Sequence, residues 1–240
     1  MIFAAGLGTR LYPYTADRPK ALVEVAGKTL LERAILKVQE AGCSEIIINI
    51  HHFGQQIIDF LKQKNNFGFK IHISDERENL LDTGGGILKA APLLTGNEPF
   101  LVYNVDIISN INLNELLQYH RSKGGLATLC VRKRETSRYF IFDNNMRLSG
   151  WQNISTGEQI IARESNESTP LAFSGIHLIE PSVFQLITER GKFSIVELYL
   201  RLATDEPIYG FNDSSSQWMD LGKPNELMVA EKILAQNSKQ

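Results

Sequence analysis

Strand-like and helix-like segments alternate through the first half of this chain, and that alternation restricts it to a parallel sheet flanked by helices. Ile2 to Ala5 is a short apolar strand. Thr29-Leu30-Leu31-Glu32 forms a capping box, with Thr29 at the N-cap and Glu32 at the third helical position. Leu30, Leu31, Ala34, Ile35, Val38 and Ala41 then recur at helical spacing until Gly42. Glu45 to Ile50 is a β-branched run suited to a strand covered on both faces. A helix over Gln55 to Lys62, a strand over Phe69 to Ser74, a helix over Gly85 to Ala91 and a strand over Phe100 to Tyr103 continue the alternation.

The second half changes character. Asn112 and Glu115 cap a helix running to Arg121, and Leu126 to Arg132 reads as a strand. Tyr139 to Ser149 reads as a hairpin turning on Asp143-Asn144-Asn145. Ile160 to Glu164 and Leu171 to Ile179 are further strand candidates. Pro181 opens a short helix, Ser194 to Glu197 is a second capping box leading to Leu202, and Pro224 starts a last helix to Ala235. No repeat, low-complexity linker or clean boundary divides the chain. The expected fold is one Rossmann-like α/β domain over residues 1–240, a mixed, mostly parallel sheet flanked by helices with a hairpin-rich lid.

The hydrophobic fraction of 43% supports a normal core. A formal charge of -2, from 25 basic and 27 acidic residues, argues against nucleic acid as a partner, which would require a basic footprint. Arg132-Lys133-Arg134 accordingly reads as a solvated loop. Cys43 and Cys130 stand alone, without metal-ligand spacing, and read as buried reduced thiols of a reducing compartment. No targeting segment and no apolar run near the ~18 residues needed to span a bilayer is present, so no membrane partner and a cytoplasmic location are expected. The brevity of the first strand suggests that residues precede Met1. Oligomeric state is not readable.

The chemistry concentrates where the first strand ends. Ala5-Gly6-Leu7-Gly8-Thr9-Arg10 follows it directly, and Arg18-Pro19-Lys20 lies close behind. Small residues there let the main chain approach a ligand, and their amides can cradle phosphate oxygens. Arg10 and Lys20 add a forked cation and a point charge. Gly6-x-Gly8 alone fits a tight turn as well. The dinucleotide fingerprint fails at its third glycine, where Leu11 stands, and no Walker pattern is present. Asp106 follows the Phe100 to Tyr103 strand at the end where open α/β sheets bind ligands, and Asp220 lies on a later strand-like segment. A strand-end cap and a turn residue are the plainer readings of these two carboxylates. His51-His52 follows a strand on the same side, but adjacent residues on extended backbone face opposite ways, which argues against a metal pair.

Taken together, Ala5-Gly6-x-Gly8-Thr9-Arg10 with Arg18-Pro19-Lys20-Ala21-Leu22 resembles the signature of sugar-1-phosphate nucleotidyltransferases. Leu81-Asp82-Thr83-Gly84-Gly85-Gly86, Asn104-Val105-Asp106, Phe173-Ser174-Gly175 and Trp218-Met219-Asp220-Leu221-Gly222 follow in the family's order, so the resemblance covers essentially the whole chain. Within the family the chain is most similar to short single-domain enzymes of the N-acetylmuramate-1-phosphate uridylyltransferase type. The resemblance implies a nucleotidyltransferase domain with a nucleotide-binding half over about 1–110, a sugar-binding half and lid over about 111–222, and a C-terminal helix over 224–236. It implies an NTP, with UTP in first place, and a sugar-1-phosphate as partners, and Mg²⁺ held by Asp106 and Asp220. Catalysis falls to Arg10, Lys20, Asp106 and Asp220. Nucleotide binding falls to Ala5, Gly6, Gly8, Thr9, Arg10, Lys20, Thr83 and Gly84, with amides of the Thr83 to Gly86 run set against the base or sugar. Asn104, Glu164 and Gly175 fall where the family binds its sugar. A mannose- or heptose-1-phosphate guanylyltransferase, and a non-catalytic sugar-nucleotide sensor, are the alternatives. Cell-wall recycling is the biological role the resemblance suggests.

Overall fold

The structure is a computed structural model that describes residues 1–237. Two compact units share the chain. The first comprises Met1–Leu80, Tyr103–Asn110 and the segment from Gln217 onward; the second comprises Leu81–Val102 and Ile111–Ser216.

In the first unit the strands Lys70–Asp75, Glu45–Ile50 and Ile2–Phe3 lie side by side in parallel, and Tyr103 and Asn104 of the next strand continue the order, pairing with Ile2 and Phe3. Every residue from Ile46 to Ile50 is buried, as expected of a strand covered on both faces. The capping box forms: the Thr29 hydroxyl accepts the Glu32 amide at 3.0 Å and starts the helix Leu30–Glu40, whose apolar stripe is buried. The first strand is shorter than expected, ending at Phe3. The backbone leaves the ladder at Ala4, whose amide is taken at 2.7 Å by the Asn49 side chain. Cys43 is half-buried, contrary to expectation, because it sits in the exposed turn after that helix.

The second unit is a mixed sheet. Thr169–Ile179 pairs antiparallel with both Ala127–Arg132 and Arg138–Phe142, and Ile208–Asn212 joins Ala127–Arg132 in parallel. The expected hairpin is present, with Arg138–Phe142 and Leu148–Asn153 antiparallel and the Asp143 carboxylate accepting the Asn145 and Arg147 amides at 2.9 Å. The next strand is Glu158–Ile161, shifted from the expected Ile160 to Glu164. The turn closed by the Gly157 amide on the Asn153 carbonyl sets Asn153 opposite Glu158, and the Ala162 and Arg163 amides then turn onto the Ser149 carbonyl. Arg132-Lys133-Arg134 is not a solvated loop. Arg132 is buried and donates to the Ser216 carbonyl, Arg134 donates to the Phe173 carbonyl, and only Lys133 is exposed. Cys130 is buried, and desolvation raises its thiol pKa well above the ordinary value.

Candidate active site

The candidate residues of the first unit gather where its strands end. Gly8 has φ +68°, and a Cβ there would lie 3.0 Å from Thr15 Cγ2 and 3.1 Å from Lys20 Cβ. Conformation and packing both therefore require glycine. The Thr15 hydroxyl donates to the Gly8 carbonyl at 2.9 Å and fixes the bend. A Cβ on Gly6 would meet nothing within 4 Å, so that stretch of backbone stays open beside buried Ala5. Thr9 and Arg10 are exposed at the mouth of a single 3-10 turn, anchored by fully buried Leu11.

Lys20 is buried and ion-paired with the Asp106 carboxylate. Asp106 is brought to Asp220 by a short antiparallel ribbon, Ile107–Ser109 against Trp218–Asp220, in which Ile107 faces Asp220. The Leu221 amide donates to the Asp106 carbonyl at 2.9 Å and closes the ribbon. Arg10 reaches the same place, since a Cβ on Gly222 would lie 3.0 Å from Asp220 Oδ1 and 3.1 Å from Arg10 Nη2. Two cations and two carboxylates thus converge. Burial, then the neighbouring Asp106, push the Asp220 pKa above the ordinary carboxylate value; Lys20 and Arg10 act in the opposite sense. Asp220 Oδ1 is buried without a hydrogen-bond partner. An unpartnered carboxylate oxygen beside a second carboxylate fits Mg²⁺, which takes one or two protein carboxylates and completes its octahedron with phosphate and water. Asn104 sits opposite Phe3 at the same strand ends.

His51 is half-buried with its Nδ1 unpartnered, while His52 is exposed against the Phe53 ring. One position missed in the sequence is Asn49, whose side chain links the Ala4 amide to fully buried Glu76. Its signal was a polar residue inside the apolar run Ile46 to Ile50.

In the second unit the helix Asp82–Ala90 starts three residues before the expected Gly85, with Asp82 at φ +60° accepting the Thr83 amide. The Gly84 and Gly85 amides donate to the Phe193 carbonyl at 3.0 and 3.2 Å, and the Thr83 hydroxyl accepts the Ile195 amide. These two amides are therefore engaged rather than presented to a ligand. The glycines serve close packing, since a Cβ on Gly84 would lie 2.4 Å from the Phe193 ring and one on Gly85 2.3 Å from the Gly191 carbonyl. Glu164 lines a cavity of about 710 Å³ with Trp151, Gln152, Gln159 and Arg163. Gly175, at φ +77°, breaks the register of its strand between Phe173 and His177. Beside it Ser174 donates at 3.0 Å to Asp213, a buried carboxylate whose pKa is raised by desolvation.

A parallel-sheet unit with an open glycine loop, paired carboxylates and two cations at its strand ends is suited to holding phosphates and a divalent cation. The nucleotidyl transferase family model matches residues 1–237. An N-acetylmuramate alpha-1-phosphate uridylyltransferase of Caulobacter vibrioides is 32% identical over 240 residues, covering 98% of this chain and 96% of the relative. A probable mannose-1-phosphate guanylyltransferase of rice is 31% identical over 97% of this chain, which spans 63% of that longer protein. A solved UDP-glucose pyrophosphorylase with UDP-glucose superposes with a TM-score of 0.80 at 17% identity, covering 98% of this chain and 97% of that one, and shares the fold. The chain belongs to the nucleotidyl transferase family and is an enzyme of that family.

Proposed function

We propose that this enzyme transfers a uridylyl group from UTP to N-acetylmuramate-1-phosphate, giving UDP-N-acetylmuramate and pyrophosphate. The observation that carries the reaction type is the convergence of Arg10, Lys20, Asp106 and Asp220 beside the glycine loop. The substrate pair is supported by the uridylyltransferase relative, which matches over nearly the full length of both chains. GTP with mannose- or heptose-1-phosphate is the second reading, supported by the guanylyltransferase relatives.

A sugar-phosphate oxygen attacks the α-phosphorus, the bond to the bridging oxygen breaks, and its electron pair leaves on pyrophosphate. The attacking group is already an anion, so no side-chain nucleophile is needed and catalysis rests on positioning and charge. The backbone of Ala5, Gly6, Gly8 and Thr9, bare at Gly6, holds the phosphates. Arg10 receives the charge that develops on pyrophosphate. Lys20 neutralises phosphate oxygens and stands against Asp106. Asp106 and Asp220 would hold Mg²⁺, which supplies charge neutralisation at the phosphates when bound. Thr83 and Gly84 are assigned to the base-reading segment, through groups other than the engaged Gly84 amide. Asn104, Glu164 and Gly175 are assigned to the sugar. No helix among the described residues is long and apolar enough to cross a membrane. We place the reaction in the cytoplasm, in recycling of wall sugars.

Ligand-dependent thermal stability tests the nucleotide. UTP with Mg²⁺ should raise Tm more than GTP with Mg²⁺ at equal concentration, because tighter binding to the folded state stabilises it further. A larger shift with GTP would favour the second reading.

A further inference from the structure

A buried polar chain runs from Glu76 to the start of the glycine loop, and none of it belongs to the charged cluster described above. Glu76 is 0% exposed and Asn49 3% exposed. Asn49 Nδ2 donates to Glu76 Oε1 at 2.8 Å, and Asn49 Oδ1 accepts the Ala4 amide at 2.7 Å. Only one orientation of the Asn49 amide satisfies both partners, so its direction is fixed by its neighbours. The location gives the chain its meaning. Phe3 is the last residue of its strand and pairs in register with Asn49. Ala4 has left the ladder, and the Asn49 side chain takes its amide one step beyond the strand, two residues before Gly6.

Burying a polar side chain is costly unless it is hydrogen-bonded, and buried Glu76 takes the Asn49 amide as one of its partners. An amide that donates to a carboxylate becomes a better acceptor at its own oxygen, because hydrogen bonds in a low-dielectric interior polarise one another. Glu76 therefore strengthens the hold of Asn49 on Ala4. We infer that Glu76 and Asn49 are positioning residues for the nucleotide loop, holding the Ala4 backbone so that Gly6 to Thr9 are preorganised for the phosphates of the incoming NTP. The role presupposes the nucleotide-binding reading of that loop. Neither residue need touch substrate.

The test exchanges donor and acceptor. In N49D the new carboxylate still accepts the Ala4 amide but no longer offers an N–H to Glu76. Adding E76Q in that background supplies a donor, restoring an unbroken chain with opposite polarity and nearly the same shape. UTP affinity in Mg²⁺ is measured by calorimetry, with hydrogen exchange of the peptide containing Ala4 followed in the free protein. N49D is expected to weaken UTP binding about tenfold or more, since small misplacements of a positioning element cost up to ~10² in rate or affinity. It should also speed exchange at Ala4, and N49D/E76Q should recover most of both. Wild-type UTP affinity and wild-type exchange in N49D would overturn the inference. So would a double variant no better than N49D while its Tm matches the wild type. Failure of the wild-type protein to bind any NTP would instead overturn the nucleotide-binding reading, and the exchange data would then report on the Ala4 contact alone.

Discussion

Lys20 and Asp106 are ion-paired although 86 residues separate them in the chain. Their side chains are only 11% and 19% exposed, so the pair is shielded from the screening that weakens surface bridges. Asp220, on the strand opposite Ile107, adds a second carboxylate to the same place. Lys20 and Arg10 thus face two acids.

Removing the ammonium should cost both stability and chemistry. K20M leaves Asp106 and Asp220 facing each other without Lys20, and unfolding free energy should fall by about 1–3 kcal/mol, the range for loss of a charged hydrogen-bonded partner. Turnover should fall at least ~10²-fold, as for loss of one preorganised electrostatic group. Urea denaturation and pyrophosphate release measure the two. Wild-type turnover would remove Lys20 from the mechanism.

The carboxylates can be neutralised without changing their shape. D106N and D220N should each lower turnover at least ~10²-fold while leaving the circular dichroism spectrum intact. Binding of Mn²⁺, followed by electron paramagnetic resonance in the presence of UTP, should weaken in both. Retained Mn²⁺ binding in the D106N/D220N double variant would place the cation elsewhere.

Two glycines should respond in opposite ways. G6A adds a methyl group where nothing lies within 4 Å, so stability should stay within about 0.5 kcal/mol of wild type, while UTP affinity falls because the backbone is no longer bare. G84A drives a methyl group to 2.4 Å from the Phe193 ring, and should destabilise the protein by about 1–3 kcal/mol, the usual cost of overpacking. Equal Tm values for the two variants would contradict this division.

Acid should weaken the fold through His177. Burial lowers its pKa from 6.5 to about 3, and its Nδ1 lies 2.5 Å from the Tyr199 hydroxyl. The unfolded chain takes up this proton near 6.5 and the folded chain only near 3, so stability is full above pH 6.5 and is lost progressively as pH falls toward 3. Tm measured from pH 7 to pH 4 should decline less steeply in H177F/Y199F than in wild type. An unchanged slope would show that other groups govern acid sensitivity.

Local grammar made much of this legible. Thr29, Asn112 and Ser194 each cap the helix expected of them, because a capping side chain and the amides it serves lie within one turn of chain. The glycine loop, Lys20, Asp106 and Asp220 were recognisable as motifs. That Asp106 and Asp220 meet was not, because it depends on two three-residue strands too short to show a period. The Gly84 and Gly85 amides were misread for a similar reason, their partner being the distant Phe193 carbonyl. Arg132 reads as a solvated cation until the Ser216 carbonyl is seen beside it. Glu76 sits in a charged run, Asp75-Glu76-Arg77-Glu78, and nothing in that run marks which carboxylate turns inward.

The central claim is tested most directly by pyrophosphate release from purified protein and Mg²⁺, across UTP, GTP, dTTP, CTP and ATP against four acceptors. These are the 1-phosphates of N-acetylmuramate, N-acetylglucosamine, glucose and mannose. The account predicts one dominant combination, UTP with N-acetylmuramate-1-phosphate. A dominant signal from GTP with mannose-1-phosphate, or no release from any pair while UTP still binds, would contradict it.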